Sequence, residues 1–279
     1  MTQAEQSHKT AKLNEKVKAQ LNLFYLALSF FTRLPVPGSM YYSETLLNKA
    51  NRYFSLVGLL VGILLILSFM IFSYFLPSGI SILLMMTISL LITGAFHEDG
   101  LADMADGIGG AFTRDKRLAI MKDSRIGTYG SVSLLMALLL KYNALLELAK
   151  LDTHYLLYSI VLAAGLSRAV AASIISSLPY VSDEQQSKSK PLAARQSPKE
   201  LLILVVIGIA PVLFLSLEVI FYLVGGLVLF RYAFNYWLLR RVGGFTGDCL
   251  GAAQQISELL IYLILIINFN DDVFSGLLA

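Results

Sequence analysis

Long runs without a single charged side chain dictate what this chain can become. Residues 53–76 and 80–96 are two such runs, separated only by the turn Pro77-Ser78-Gly79. A helix needs about 20 apolar residues to cross a bilayer. Backbone in lipid must satisfy its own hydrogen bonds, so spanning runs of this kind fold as helices. Further runs, largely apolar but not free of charge, follow at 131–149 and 155–178. The stretch 201–239 is long enough for two spans, broken near Ser216-Leu217-Glu218, and a last helix is expected to begin near Ala252 and end at Phe269. Composition agrees: 56% of the 279 residues are hydrophobic, only 15% are charged, and mean hydropathy is +0.68. A soluble domain of this length would carry more charge. The expected fold is all-α, a polytopic helical integral membrane protein with about seven transmembrane helices and a polar active site facing the cytoplasm.

The polar remainder is organised around these spans, and residues 1–279 read as one membrane-embedded domain. Residues 1–20 form a basic, polar segment carrying Lys9, Lys12, Lys16 and Lys18. Residues 21–31 are too short to span, and read as an interfacial or re-entrant piece stopped by Thr32-Arg33-Leu34-Pro35-Val36-Pro37-Gly38. Prolines and glycine there forbid helix continuation. Residues 179–200 form a polar, flexible linker containing Ser187-Lys188-Ser189-Lys190-Pro191. If the amino terminus is cytoplasmic, the segments 97–130, 179–200 and 240–251 are cytoplasmic too. They and the amino-terminal region hold nearly all the basic residues, whereas the opposite turns hold only Lys150. That distribution obeys the positive-inside rule.

The run 80–96 delivers a polar stretch, His97-Glu98-Asp99-Gly100-Leu101-Ala102-Asp103-Met104-Ala105-Asp106-Gly107, with four carboxylates in nine residues. On a helix, Asp99, Asp103 and Asp106 fall at i, i+4 and i+7 and share one face. Like charges at the mouth of a membrane segment require a cationic partner. Carboxylate-only ligation selects a hard ion such as magnesium, manganese or calcium. The loop beyond, from Gly109 to Gly130, brings Arg114, Lys116, Arg117, Lys122 and Arg125 among glycines. This composition suits phosphate oxygens, and equally a positive-inside loop. Arg168 lies within an apolar span, where it either serves function or pairs with a structural carboxylate. Arg231, near a span end, reads as snorkelling.

A second polar cluster, Gly243-Gly244-Phe245-Thr246-Gly247-Asp248-Cys249, resembles a backbone nest followed by a ligand. Asp248 could complete a metal site from another helix, or cap its own. His97 could act as a general base or be structural. The one cysteine, Cys249, excludes a disulfide within the chain. No Walker loop, dinucleotide fingerprint, nucleophile elbow or His-Glu-x-x-His motif is present. The inventory favours metal-assisted phosphoryl-type transfer at a membrane surface.

The run from Gly94 to Gly107, followed by Met121-Lys122-Asp123-Ser124-Arg125-Ile126-Gly127-Thr128-Tyr129-Gly130, closely resembles the cobalamin synthase family, the adenosylcobinamide-GDP ribazoletransferases. Phe31-Thr32-Arg33-Leu34-Pro35-Val36-Pro37 and the segment from Gly243 to Glu258 are similar to the family's other signatures, in the same order. The resemblance implies a magnesium-dependent transferase of the bacterial inner membrane. Such an enzyme joins adenosylcobinamide-GDP to α-ribazole, or to its 5′-phosphate, and releases GMP. The partners so implied are these substrates and the lipid bilayer, with no nucleic acid; a homo-oligomer is compatible with it. Laid on that reaction, His97, Glu98, Asp99 and Asp103 are the candidate catalytic residues. Glu98, Asp99, Asp103, Asp106 and Asp248 are the candidate metal ligands, and Arg33, Arg117, Lys122, Arg125 and Arg168 the candidate substrate-binding residues. Two rival readings predict other features. A CDP-alcohol phosphotransferase would place an arginine after Ala102, where Asp103 stands. A cation-coupled transporter would carry its aspartates mid-span, with internal repeats.

Overall fold

The computed structural model describes residues 3–182 and 194–277, with side chains described from Lys12 to Asn270. The Ser187-to-Pro191 stretch of the expected linker and the side chain of Lys9 lie outside the described residues. Eleven α-helices occur among the described residues. The first six are α1 (Gln3–Phe31), α2 (Glu44–Ala50), α3 (Phe54–Ser73), α4 (Ser78–Thr93), α5 (Phe96–Gly110) and α6 (Arg114–Met121). The rest are α7 (Thr128–Leu151), α8 (Thr153–Ser173), α9 (Pro198–Ile209), α10 (Leu217–Arg241) and α11 (Gly247–Leu277).

Five stretches are long and apolar enough to cross a membrane: Glu44–Ser73, Thr128–Leu151, Thr153–Ser176, Leu217–Arg241 and Gly247–Asn270. The pair α4 and α5 makes a sixth if it is one broken span. The expected count of about seven therefore becomes five or six: the run 80–96 spans only jointly with α5, past a bend, and 201–239 holds one span instead of two. Residues 21–31 are not a separate re-entrant piece but the buried end of α1, continuous with the polar segment before it. The first half of 201–239 yields only the twelve-residue α9 and a short 3-10 turn at Ala210–Phe214, because Pro211 interrupts the α-helical ladder. Twelve residues rise only about 18 Å.

The core sits around α8. Within its span 89% of the most apolar window is buried, against 22% for α7 and for α10, which turn their apolar sides outward. The helix can sit at the centre because it is built from small residues where its neighbours cross. Gly58 of α3 lies directly on the Ala164 carbonyl, and a side chain at Gly62 would stand 2.9 Å from the Val161 Cα. In a membrane, where lipid competes with every apolar contact, such close backbone approach supplies the packing.

Two features aim the polar segments. Between α4 and α5 the chain bends by 85° at Gly94 and Ala95, both left-handed (φ 66° and 54°). The Arg33 amide donates to the Ile92 carbonyl (2.7 Å), so the segment after α1 braces this hinge. Toward the other end of the chain, Phe245 pairs with Tyr180 in an isolated parallel bridge, its N–H donating to Pro179 O (2.9 Å) and its carbonyl accepting from Val181 N (3.0 Å). That bridge fixes where α11 begins. The glycines before Asp248 thus serve a turn and a bridge: Gly243 ends α10 at φ 78°, and Gly244 packs on the Pro179 carbonyl.

Candidate active site

The acidic stretch is helical, and its period sorts the carboxylates between two faces of α5. Asp99 is exposed and Asp103 half-buried, whereas His97 and Glu98 point into the bundle at 2% and 5% exposure. The helix reaches α11 through glycines. A side chain at Gly100 would come within 3.1 Å of the Asp248 Cα, and one at Gly251 within 3.2 Å of the Gly100 Cα. Backbone contact at this point brings Asp248 beside the outer face of α5. The Asp103 carboxylate accordingly lies in the field of four others, Asp99, Asp248, Asp106 and Asp123. Asp123 is not among the candidates read from the sequence, where this loop of both signs stands out for its five basic residues.

The five expected metal ligands do not form one set. Asp106 accepts the backbone N–H groups of Gly127 (2.6 Å) and Gly130 (2.8 Å). Gly127 is the N-cap of α7 and has no side chain to satisfy the first turn, so Asp106 supplies the capping carboxylate from α5. Glu98 accepts from Gln255 Nε2 (3.1 Å) inside the bundle. Asp99, Asp103 and Asp248 remain on the outer face. Asp248 does not cap its own helix: Thr246 Oγ1 accepts the Cys249 amide (3.3 Å) and donates to Asp248 Oδ2 (3.2 Å). Among the described residues, no three His, Cys, Asp or Glu side chains are drawn together as a closed ligand cluster. The donor set still fits a hard divalent ion. It is all oxygen, its members repel one another, and its half-open position leaves room for water and substrate oxygens as further ligands.

The basic candidates divide in the same way. Arg117 is 7% exposed and is occupied by backbone carbonyls, Ala111 O (2.9 Å) and Arg241 O (2.9 Å), so it locks α6 to the end of α10 instead of facing a phosphate. Arg114 does the same on Val242 O (2.8 Å). Arg168 is buried, donates to Ala164 O (2.7 Å), and lies over the Phe54 ring at 5.6 Å. It belongs to the bundle interior, between the charges of Glu98 and Glu258, and not to the surface. Arg33, Lys122 and Arg125 are exposed. Arg33 sits over the hinge, its Nε 2.6 Å from where a Gly94 side chain would begin. Arg125 is bonded to Asp123 (2.6 Å); that bond and the carboxylate's charge raise its pKa further above the ordinary value. His97 is buried beside the mutually stacked rings of Phe54 and Phe31, at 5.6 Å and 6.3 Å, with Nε2 unpartnered. Arg231 does not snorkel freely but binds the end of α8 and the turn after it, through Ser173 Oγ (2.7 Å) and Ser177 Oγ (3.0 Å).

Beneath the acidic face runs a chain of buried polar groups. Lys141 Nζ meets Glu258 Oε1 at 2.7 Å, each side chain 8% exposed. Glu258 accepts from Gln254 Nε2 (2.9 Å) and from the Tyr262 hydroxyl (3.0 Å). Gln255 Nε2 then donates to both Gln254 Oε1 (2.8 Å) and Glu98 Oε1. Lys141 was missed in the sequence. A lone lysine in one apolar run and a lone glutamate in another is the signal that could have paired them.

Fold and acidic face together define a polytopic helical membrane protein with a cluster of carboxylates where α5 meets α11. The family follows from comparison. Residues 23–266 match the model described as cobalamin-5-phosphate synthase, and the chain belongs to that family. It is 58% identical over 247 residues to an adenosylcobinamide-GDP ribazoletransferase of Vibrio vulnificus, covering 88% of this chain and 96% of that one. It is 54% identical over 255 residues to that of Vibrio parahaemolyticus, covering 91% and 96%. With that of Shewanella pealeana the identity is 49% over 248 residues, covering 89% and 96%. No solved structure matches. The CDP-alcohol and transporter readings give way to this family.

Proposed function

We propose that this chain joins adenosylcobinamide-GDP to α-ribazole, or to α-ribazole 5′-phosphate, giving adenosylcobalamin or its 5′-phosphate and releasing GMP. The observation that carries the site assignment is the meeting of Asp99 and Asp103 on α5 with Asp248 on α11 across the Gly100–Gly251 contact. A ribose hydroxyl of the acceptor attacks the phosphorus on the cobinamide side of the pyrophosphate. The bond from that phosphorus to the oxygen shared with GMP breaks, and GMP leaves with the electron pair. We place the acceptor of the hydroxyl proton among the carboxylates of this outer face and not at His97, because His97 is only 2% exposed and points into the bundle. Asp99, Asp103 and Asp248 would hold magnesium, which when bound neutralises charge on the pyrophosphate. Arg33, Lys122 and Arg125 are the exposed cations for the remaining phosphate oxygens.

Basic segments on the site's side of the spans support an active site facing the cytoplasm of a bacterial inner membrane. The exposed apolar faces of α7 and α10 meet lipid, or a second copy of the chain. Turnover of purified protein in liposomes tests the assignment, following GMP and corrinoid product with each acceptor, first with magnesium and then with EDTA. Formation of both products only with the metal is expected. A folded, metal-replete sample that makes neither product from either acceptor would overturn it.

A further inference from the structure

We infer that the buried chain Lys141–Glu258–Gln254–Gln255–Glu98 is a positioning device for the reaction: it sets the register of α5 on α11, and Glu98 acts within it instead of as a ligand or base. The inference rests on the proposed role of the outer carboxylates and extends it to residues that never touch substrate. Two observations carry it. The hydrogen-bonded sequence is continuous from α7 through α11 to α5, with donor–acceptor distances of 2.7, 2.9, 2.8 and 3.1 Å. It reaches α5 at Glu98, the residue next to Asp99, while Gly251 and Gly100 touch four residues before Gln255 and two after Glu98.

The geometry makes the coupling directional. At the glycine contact neither helix has a side chain to stop sliding or rotation. A smooth glycine seam gives proximity but no register, so register must come from polar bonds nearby. Gln255 supplies one, since a single amide nitrogen bridges Glu98 on the other helix and Gln254 on its own. Gln254 in turn is fixed by Glu258 and by Ser167 of α8 (3.0 Å). Lys141 anchors the far end from a third helix. The charges balance locally, Lys141 and Arg168 against Glu98 and Glu258, which is what permits four ionisable groups in a bundle interior. Moving Glu98 would carry Asp99 and Asp103 with it, along a helix, relative to Asp248.

The test uses full-length protein in liposomes, with kcat, the KM for each substrate and the magnesium concentration for half-maximal rate read for every variant. Gln255→Ala removes the bond to Glu98 without creating a charge. It is expected to lower kcat by about 10²-fold, the effect of a displacement near 1 Å, while both KM values and the magnesium requirement stay within about twofold. Lys141→Met and Glu258→Met each strand a buried charge and should lose activity. The double variant Lys141→Met/Glu258→Met should regain at least tenfold over either, because removing both charges is tolerated where removing one is not. If the single charge variants do not fold, Gln255→Ala alone decides the matter. A parental kcat in Gln255→Ala overturns the inference. So does a raised magnesium requirement in Gln255→Ala, which would mean the chain reaches the metal directly. Asp103→Asn in the same assay separates the two ideas: parental activity there defeats the carboxylate assignment, whatever Gln255→Ala does.

Discussion

Asp103 and Asp106 stand about one helical turn apart on α5, and their surroundings give them different work. Asp103 faces other carboxylates, so replacing it removes a ligand and relieves repulsion. Asp103→Asn should therefore abolish measurable turnover while leaving the thermal unfolding midpoint in detergent unchanged or slightly higher. Asp106 binds two backbone N–H groups at the start of α7. In Asp106→Asn one of those donors faces an amide NH₂ and is left unmatched, a loss of about 1–3 kcal/mol. A lower unfolding midpoint, with the activity that survives keeping its magnesium requirement, is the expected pattern; an unshifted midpoint would remove Asp106 from its capping role. The common face of the three aspartates was legible in the sequence, because helical period alone sets it. Which of them would be covered was not, because the covering turn lies 21 residues away at Gly127. The same holds for Arg117, whose partner carbonyl on Arg241 is 124 residues distant.

At the scale of elements, the hinge and the glycine seam decide where the acidic face points. Ala95 holds φ 54°, a conformation that burdens an alanine and not a glycine. Ala95→Gly should therefore raise stability by up to about 1 kcal/mol, provided the freedom it adds to the unfolded chain does not cancel the gain. Chemical denaturation monitored by tryptophan fluorescence would read it, and a fall in stability would show that Ala95 is not strained. Gly251→Val tests the seam. A first side-chain carbon there already lies 3.1 Å from the His97 carbonyl, so a branched side chain must push α5 away from α11. A kcat loss of about 10²-fold is expected, with protein still inserted; near-parental turnover would show that the seam does not set the site. Apolar run length foretold α3, α7, α8, α10 and α11, since lipid leaves the backbone no alternative. It overcounted where a run carried an internal proline, as in α9, or bent before it had crossed, as at Gly94 after α4.

Across the whole molecule, basic segments and the acidic face lie toward one side of the spans by sequence, and this makes orientation measurable. In a Cys249→Ala background, a cysteine at the exposed Lys116 should react with an impermeant maleimide only from the cytoplasmic side. One at the exposed Lys150 should react only from the other. The reverse pattern would invert the proposed topology. Family and activity were readable early because the motifs are local strings. The buried polar chain was not, because it draws on three helices that meet only in the folded bundle.

The partnership of Glu98 with Gln255 has a consequence for how the enzyme comes into being. The two residues are 157 positions apart, and the second lies in α11. At a synthesis rate of about 5–20 residues per second, on the order of 10–30 s pass between them. Throughout that interval α5 waits in the nascent chain as a polar helix without its mate, a state that membrane quality control can recognise. Catalytic competence is thus withheld until α11 has been made, and a ribosome that stops before it leaves a polypeptide whose α5 is still without its partner.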